Sequence, residues 1–195
     1  MRVVLATRND HKVDEVSRIL RAEGVDIELI PLPEHAPDVA ETESTFAGNA
    51  LLKARSAAEV TGLPAIADDS GLCVDALHGM PGVLSARWSG RHGDDAANLA
   101  LLLAQVSEVP DSRRGAQFVC AAAYVVPGSH EHVVEGVLEG SLARDARGSN
   151  GFGYDPIFIP QAYALTTAEL RPHEKDAISH RGQALRLLAR SVIDR

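Results

Sequence analysis

Two aspartates stand side by side at Asp68 and Asp69, after the apolar run Ala65-Ile66-Ala67 and before Ser70-Gly71. Adjacent carboxylates repel unless positive charge lies between or beside them, so a divalent metal is a natural partner. The Ser-Gly pair reads as a turn, which puts both acids at the end of a short strand rather than in the packed interior. Asp-Asp-Ser-Gly is also good loop chemistry, so the weight of the reading rests on four further segments.

Thr7-Arg8-Asn9-Asp10-His11-Lys12 falls between a predicted strand and a predicted helix. Unpaired N–H groups and the positive end of the helix dipole attract phosphate at such a junction, and Lys12 adds a point charge. The segment lacks the glycine and Lys-Ser/Thr pattern of a Walker A loop. Its plainer reading is a helix cap at Asn9 or Asp10 with Lys12 in solvent. Glu41-Thr42, Thr45-Phe46, Asn49 and Lys53 form a second group. Asn49 and Lys53 are four apart and share one helix face, with Glu41 in the preceding loop as a possible metal ligand. A solvated face with a loop charge is the alternative. In Gly148-Ser149-Asn150-Gly151-Phe152-Gly153-Tyr154-Asp155 the small residues let backbone approach a ligand, while Phe152 or Tyr154 offers a face to a base. A tight hairpin beside a core aromatic explains the same residues, and Asn150 fits there if its φ is positive. Last comes Glu174-Lys175 with Ser179-His180-Arg181, where an arginine suits the carbonyl edge of a purine and an ordinary first helical turn is the rival.

Periodicity shows which helices and strands carry these residues. Arg2 to Ala6 reads as a buried strand, and Val13, Val16, Ile19 and Leu20 recur at helical spacing. Val25, Ile27 and Leu29 alternate as in a half-exposed strand, and a Pro-rich acidic loop runs from Pro31 to Glu43. Ser44 or Thr45 caps a helix reaching Thr61, and Asp94-Asp95 begins another that ends near Val106. Gln117 to Val126 and His132 to Leu138 read as paired strands around Pro127-Gly128. One helix is expected from about Lys175 to Ile193, with Ile178, Ala184, Leu185, Leu188 and Val192 as its stripe. Helices and strands intersperse without strict alternation, so the expected fold is α/β with a mixed sheet.

At 195 residues the chain is long enough for one domain with a substantial core, in one body or in two lobes, and it shows no linker that would split it. Its net charge of −8 argues against nucleic acid or an anionic membrane as partner, so a polyanionic substrate needs a local basic pocket. No stretch approaches a membrane span and no signal peptide is evident. Cys73 and Cys120 are too few for a disulfide framework or a cysteine zinc site, which points to a reducing cytoplasm. His130-x-His132 has ligand spacing, but flanks a Pro-Gly turn.

Together with Pro81-Gly82-Val83-x-Ser85-Ala86-Arg87-Trp88, these segments resemble, in order and from Leu5 to about Leu188, the Ham1-like family of inosine/xanthosine triphosphate pyrophosphatases. The resemblance implies hydrolysis of deaminated purine nucleoside triphosphates (ITP, dITP, XTP) to monophosphate and pyrophosphate, with Mg2+, in a cytoplasmic homodimer. It implies an elongated mixed β-sheet flanked by helices, with two lobes around a central active-site cleft. By motif match, Thr7, Arg8, Asn9, Asp10, His11, Lys12 and Lys53 would hold the triphosphate. Glu41 and Asp69 would hold magnesium, with Asp69 as proton acceptor and Ser70 touching substrate. Phe152, Gly153, Tyr154 and Asp155 would wall the base and sugar, Lys175 would add a contact, and His180 and Arg181 would read the base. Arg8 departs from the small residue usual after Thr7, and Ala40 from an acid often found before Glu41.

Overall fold

In a computed structural model the protein is described over residues 1–193, with side chains described to residue 190. Six strands form one mixed sheet in the order β2-β1-β3-β4-β5-β6. These are β1 (Arg2–Leu5), β2 (Glu28–Pro31), β3 (Ala65–Val74), β4 (Gly115–Val125), β5 (Glu131–Leu142) and β6 (Phe158–Pro160). β1 runs parallel to both β2 and β3, whereas β5 and β6 are antiparallel. Helices α1 (Asp10–Ala22), α2 (Phe46–Thr61), α3 (Asp95–Gln105), α4 (Pro172–Ile178) and α5 (His180–Ile193) accompany the sheet.

The chain falls into two compact units, and β3, β4 and β5 each contribute residues to both. The first unit holds Met1–Asp69, Cys120–Gly136 and the chain from His180. Its core joins Val3 and Leu5 of β1, Ile66 of β3, and Cys120, Ala122 and Tyr124 of β4 to Val16, Ile19 and Leu20 of α1 and Ala184, Leu185 and Leu188 of α5. Ala184, Leu185 and Leu188 of the expected stripe face that core; Ile178 is half-buried at the end of α4 in the second unit, outside it, and the side chain of Val192 lies outside the described residues. The second unit, Ser70–Val119 and Val137–Ser179, has its own core of Leu72, Val74, Leu102, Val106, Phe118, Ile157 and Phe158.

Three local expectations change. Ser70-Gly71 does not turn: β3 runs on through Val74, because Leu72 and Val74 are wholly buried in the second core. Asp68 and Asp69 thus sit in the middle of a ten-residue strand, not at its end. β2 begins only at Glu28, since the Val25 N–H is spent on the carbonyl of Leu20 (3.2 Å) at the end of α1. The C-terminal helix is two helices, divided at Ser179, whose backbone is extended (φ −62°, ψ 151°). Serine suits the position before a helix, and the break gives His180 and Arg181 a first turn of their own.

Candidate active site

Strand geometry separates the two aspartates. Successive side chains on a strand point to opposite faces, so Asp68 shares the face of Ile66 and Asp69 the other. Asp68 Oδ2 accepts from Lys12 Nζ (2.9 Å) and from Nε and Nη2 of Arg181 (3.2 Å each). Arg181 Nη1 also donates to Glu15 on α1, closing a buried network Lys12–Asp68–Arg181–Glu15. Burial alone would push the Asp68 carboxyl up, but Lys12, Arg181 and Lys53 outweigh it and hold the group well below the usual carboxylate range. Cys120 lies 3.9 Å from the same oxygen, and burial followed by the Asp68 charge pushes its thiol up to about 12. It is a packed hydrophobe, not a nucleophile.

Asp69 meets different partners. Lys53 Nζ donates to Asp69 Oδ1 and to Glu41 Oε1, both at 2.9 Å. Asn49, fully buried one turn before Lys53, donates to Asp69 Oδ2 (3.2 Å), while its side-chain oxygen accepts the Glu43 N–H (3.0 Å). Helix α2 is started by Thr45, whose hydroxyl accepts the Gly48 N–H at 3.1 Å. A side chain at Gly48 would come within 2.7 Å of the Glu43 Cβ, so this glycine lets the acidic loop fold back on the helix. Burial raises the Asp69 carboxyl above its ordinary value, an effect that Lys53 opposes and Glu41 reinforces. Burial lowers Lys53, yet Asp69, Asp68 and Glu41 together leave it raised.

At the β1–α1 junction, Asn9 caps α1 by accepting the Lys12 N–H (3.3 Å), and Thr7 Oγ1 accepts the Asn9 N–H (3.2 Å). Thr7 and Lys12 are half-buried, whereas Asn9, Asp10 and His11 are exposed. The guanidinium of Arg8 is directed to residues 34–38 of the acidic loop.

The glycine-rich segment builds a separate cluster in the second unit. Lys175 Nζ donates to Asp155 Oδ2 (2.7 Å) and lies 5.1 Å from the centre of the Phe152 ring. Asp155 also accepts the Phe152 N–H (2.9 Å) and the Thr167 hydroxyl (2.8 Å). The backbone N–H of Gly153 is held by Asp95 at 2.9 Å. Tyr154 is buried and donates its hydroxyl to the carbonyl of Ser85 (2.9 Å), whose own hydroxyl accepts the Leu72 N–H, also at 2.9 Å. Gly151 has φ +74°, and a side chain there would overlap Asp155. Asn150 does not have positive φ; it is accommodated by donating its N–H to Ala168 and its side-chain amide to Leu170, both at 3.0 Å.

The structure thus gathers Lys12, Glu41, Lys53, Asp68, Asp69 and Arg181 in the first unit, and Phe152, Asp155 and Lys175 in the second. Glu15 escaped the reading of the sequence, although a signal existed: an acid beside Val16 on the apolar stripe of α1 needs a buried partner. Among the described residues no group of three or more His, Cys, Asp or Glu side chains is arranged to hold a metal. Magnesium does not require one. It takes one or two carboxylates, keeps waters and shares substrate phosphates, so two hard oxygen donors on one cation fit it. Glu41 and Asp69, which already share the ammonium of Lys53, are that pair.

The Ham1 family model matches residues 3–191. The dITP/XTP pyrophosphatase of Mycobacteroides abscessus is 59% identical over 192 residues, covering 96% of this chain and 93% of the relative. That of Streptomyces coelicolor is 57% identical over 189 residues, covering 96% and 94%. Among solved structures, a HAM1 protein from Coxiella burnetii superposes with a TM-score of 0.90 at 45% identity, covering all of both chains. The nucleoside-triphosphatase / dITP/XTP pyrophosphatase of Mycobacterium abscessus gives 0.78 at 59% identity, covering 96% of this chain and 97% of that one.

Proposed function

This chain belongs to the Ham1 family, and from that premise we propose that it hydrolyses deaminated purine nucleoside triphosphates (ITP, dITP and XTP) to the monophosphate and pyrophosphate. The dITP/XTP pyrophosphatase activity of the relatives supports the reaction. The observation that carries it in this molecule is the ammonium of Lys53, 2.9 Å from both Glu41 and Asp69. Two carboxylates and a lysine converge there beside a strand–helix junction suited to phosphate.

Glu41 and Asp69 are the proposed ligands of Mg2+. When bound, the metal would neutralise phosphate charge and make a coordinated water more acidic. Lys53, Lys12 and the α1 N-terminus would supply positive charge to the triphosphate. Asp69 accepts the proton of the attacking water as its oxygen bonds to the α-phosphorus. The α–β anhydride bond breaks and pyrophosphate departs with its electron pair. Asn49 holds the Asp69 carboxylate in place.

Ser70, Phe152, Gly153, Tyr154, Asp155 and Lys175 are the proposed further substrate contacts, with the Phe152 ring as the stacking face. His180 and Arg181 are assigned the 6-oxo edge that inosine and xanthosine present and adenosine lacks. An unpaired buried polar group costs about 1–3 kcal/mol, so one mismatch gives roughly tenfold to hundredfold discrimination. Because Arg181 is only 1% exposed and also holds Asp68, changing it reaches beyond selectivity. A homodimer in the cytoplasm completes the reading, with neither nucleic acid nor membrane as partner. The net charge of −8 supports the exclusion of nucleic acid, and no helix among the described residues is long and apolar enough to cross a membrane.

The test is pyrophosphate release, with and without magnesium, from inosine, xanthosine, guanosine, adenosine and modified pyrimidine triphosphates. Magnesium-dependent release favouring inosine and xanthosine is expected. Preference for another nucleotide overturns the assignment of His180 and Arg181, and binding without turnover overturns the reaction.

A further inference from the structure

Arg8 lies in the segment expected to bind phosphate, but its side chain is engaged elsewhere. β1 and β2 are parallel with Leu5 opposite Pro31, so the two chains leave the sheet side by side. Arg8 comes three residues after Leu5, and its guanidinium meets the loop three to seven residues after Pro31. Nη1 donates to the Asp38 carboxylate, and Nη2 to the carbonyls of Ala36 (2.7 Å) and Glu34 (3.4 Å). One planar fork therefore serves three acceptors on alternate residues of a loop that has neither helix nor strand between Leu32 and Ser44. Among the described residues the loop's backbone is bonded to itself at Ala36 N–H to Pro33, and Lys53 on Glu41 and Asn49 on Glu43 anchor it further on. An exposed ion pair contributes little by itself. Carbonyl bonds that fix an otherwise unpaired stretch of backbone contribute more.

We propose that Arg8 is a positioning residue that staples residues 34–38 against the β1–α1 junction and thereby holds Glu41 beside Asp69. The proposal rests on the reading of Glu41 and Asp69 as magnesium ligands. It separates two roles for Arg8 by geometry. Binding phosphate needs mainly charge, which lysine supplies, whereas gripping three acceptors needs the guanidinium fork, which lysine lacks.

The test compares wild type, Arg8→Ala and Arg8→Lys in two measurements. The first is cleavage of the metal-free protein by a glutamyl endopeptidase, since the loop carries Glu34, Glu41 and Glu43. Cleavage there reports local opening, and cleavage at buried Glu15 reports global unfolding. The second is the magnesium concentration for half-maximal pyrophosphate release, with KM measured at saturating magnesium. Both variants should be cut in the loop about tenfold faster with Glu15 still protected, and both should need about tenfold more magnesium with KM little changed. Wild-type behaviour of Arg8→Lys overturns the staple. So does a raised KM with unchanged loop cleavage, which makes Arg8 a phosphate contact. If the wild type releases no pyrophosphate, the proposed function fails while the proteolysis still decides the staple.

Discussion

Asp68 and Asp69 are neighbours in the chain but occupy two different electrostatic environments. On one face of β3, Asp68 is enclosed by Lys12 and Arg181 and its carboxyl is held far down. On the other, Asp69 shares a single lysine with Glu41, and burial holds its carboxyl up. Both side chains are almost fully buried, so burial does not distinguish them. The count of cations against competing acids does. A carboxylate bonded by two cations is held as an anion, whereas one whose single lysine also serves a second acid retains affinity for a proton or a metal.

The contrast is sharpest in turnover. Asp69→Asn should lower pyrophosphate release by about 10²–10⁴-fold while the protein melts at or above the wild-type temperature. A rate near wild type removes Asp69 from the chemistry. Asp68→Asn should act chiefly on the fold, because it leaves Lys12 and Arg181 without their shared anion. Removing one partner of a buried pair costs roughly 3–5 kcal/mol, or roughly 10 °C in a chain of this size. Thermal unfolding of the metal-free variants at neutral pH checks both, and equal melting temperatures would show that the two aspartates do not differ in their structural role. A smaller effect is the dependence on pH, where the two acids have opposite signs. The folded pKa of Asp68 is depressed, so its contribution is present above the unfolded value near 4 and is lost as pH falls below it. The folded pKa of Asp69 is raised, so ionising it costs stability as pH climbs from near 4 through the folded value. The deficit of Asp68→Asn should therefore shrink in acid. The advantage of Asp69→Asn should grow as pH rises above about 4, and melting curves from pH 3 to 8 read both.

The legible parts of the site were those set by local chemistry. A cap for α2 at Ser44 or Thr45 and Asn49 with Lys53 on one face follow from helix spacing; the structure takes Thr45 as the cap and keeps the shared face. Other residues were legible only as types. Ser70-Gly71 looked like a turn because both residues favour one, yet tertiary burial of Leu72 and Val74 carried the strand through. Tyr154 looked like a possible stacking face, but its ring is packed in the second core and its hydroxyl is spent on Ser85. Glu15 was passed over because its partner, Arg181, is 166 residues away.

Short-range physics was enough to show an α/β protein with an acidic pair, two lysines and a glycine-rich segment in a recognisable order. Helix caps, period and turn residues act within a few positions, so they can be read along the chain. Which aspartate is neutralised, which is left to share its cation, and what Arg8 grips depend on charges brought together from distant segments. Coulomb interaction depends on separation in space and on burial, and neither is determined until the sheet has assembled. The period of two along β3 dictates that Asp68 and Asp69 face apart; only folding decides which of them meets Arg181 and which meets Glu41.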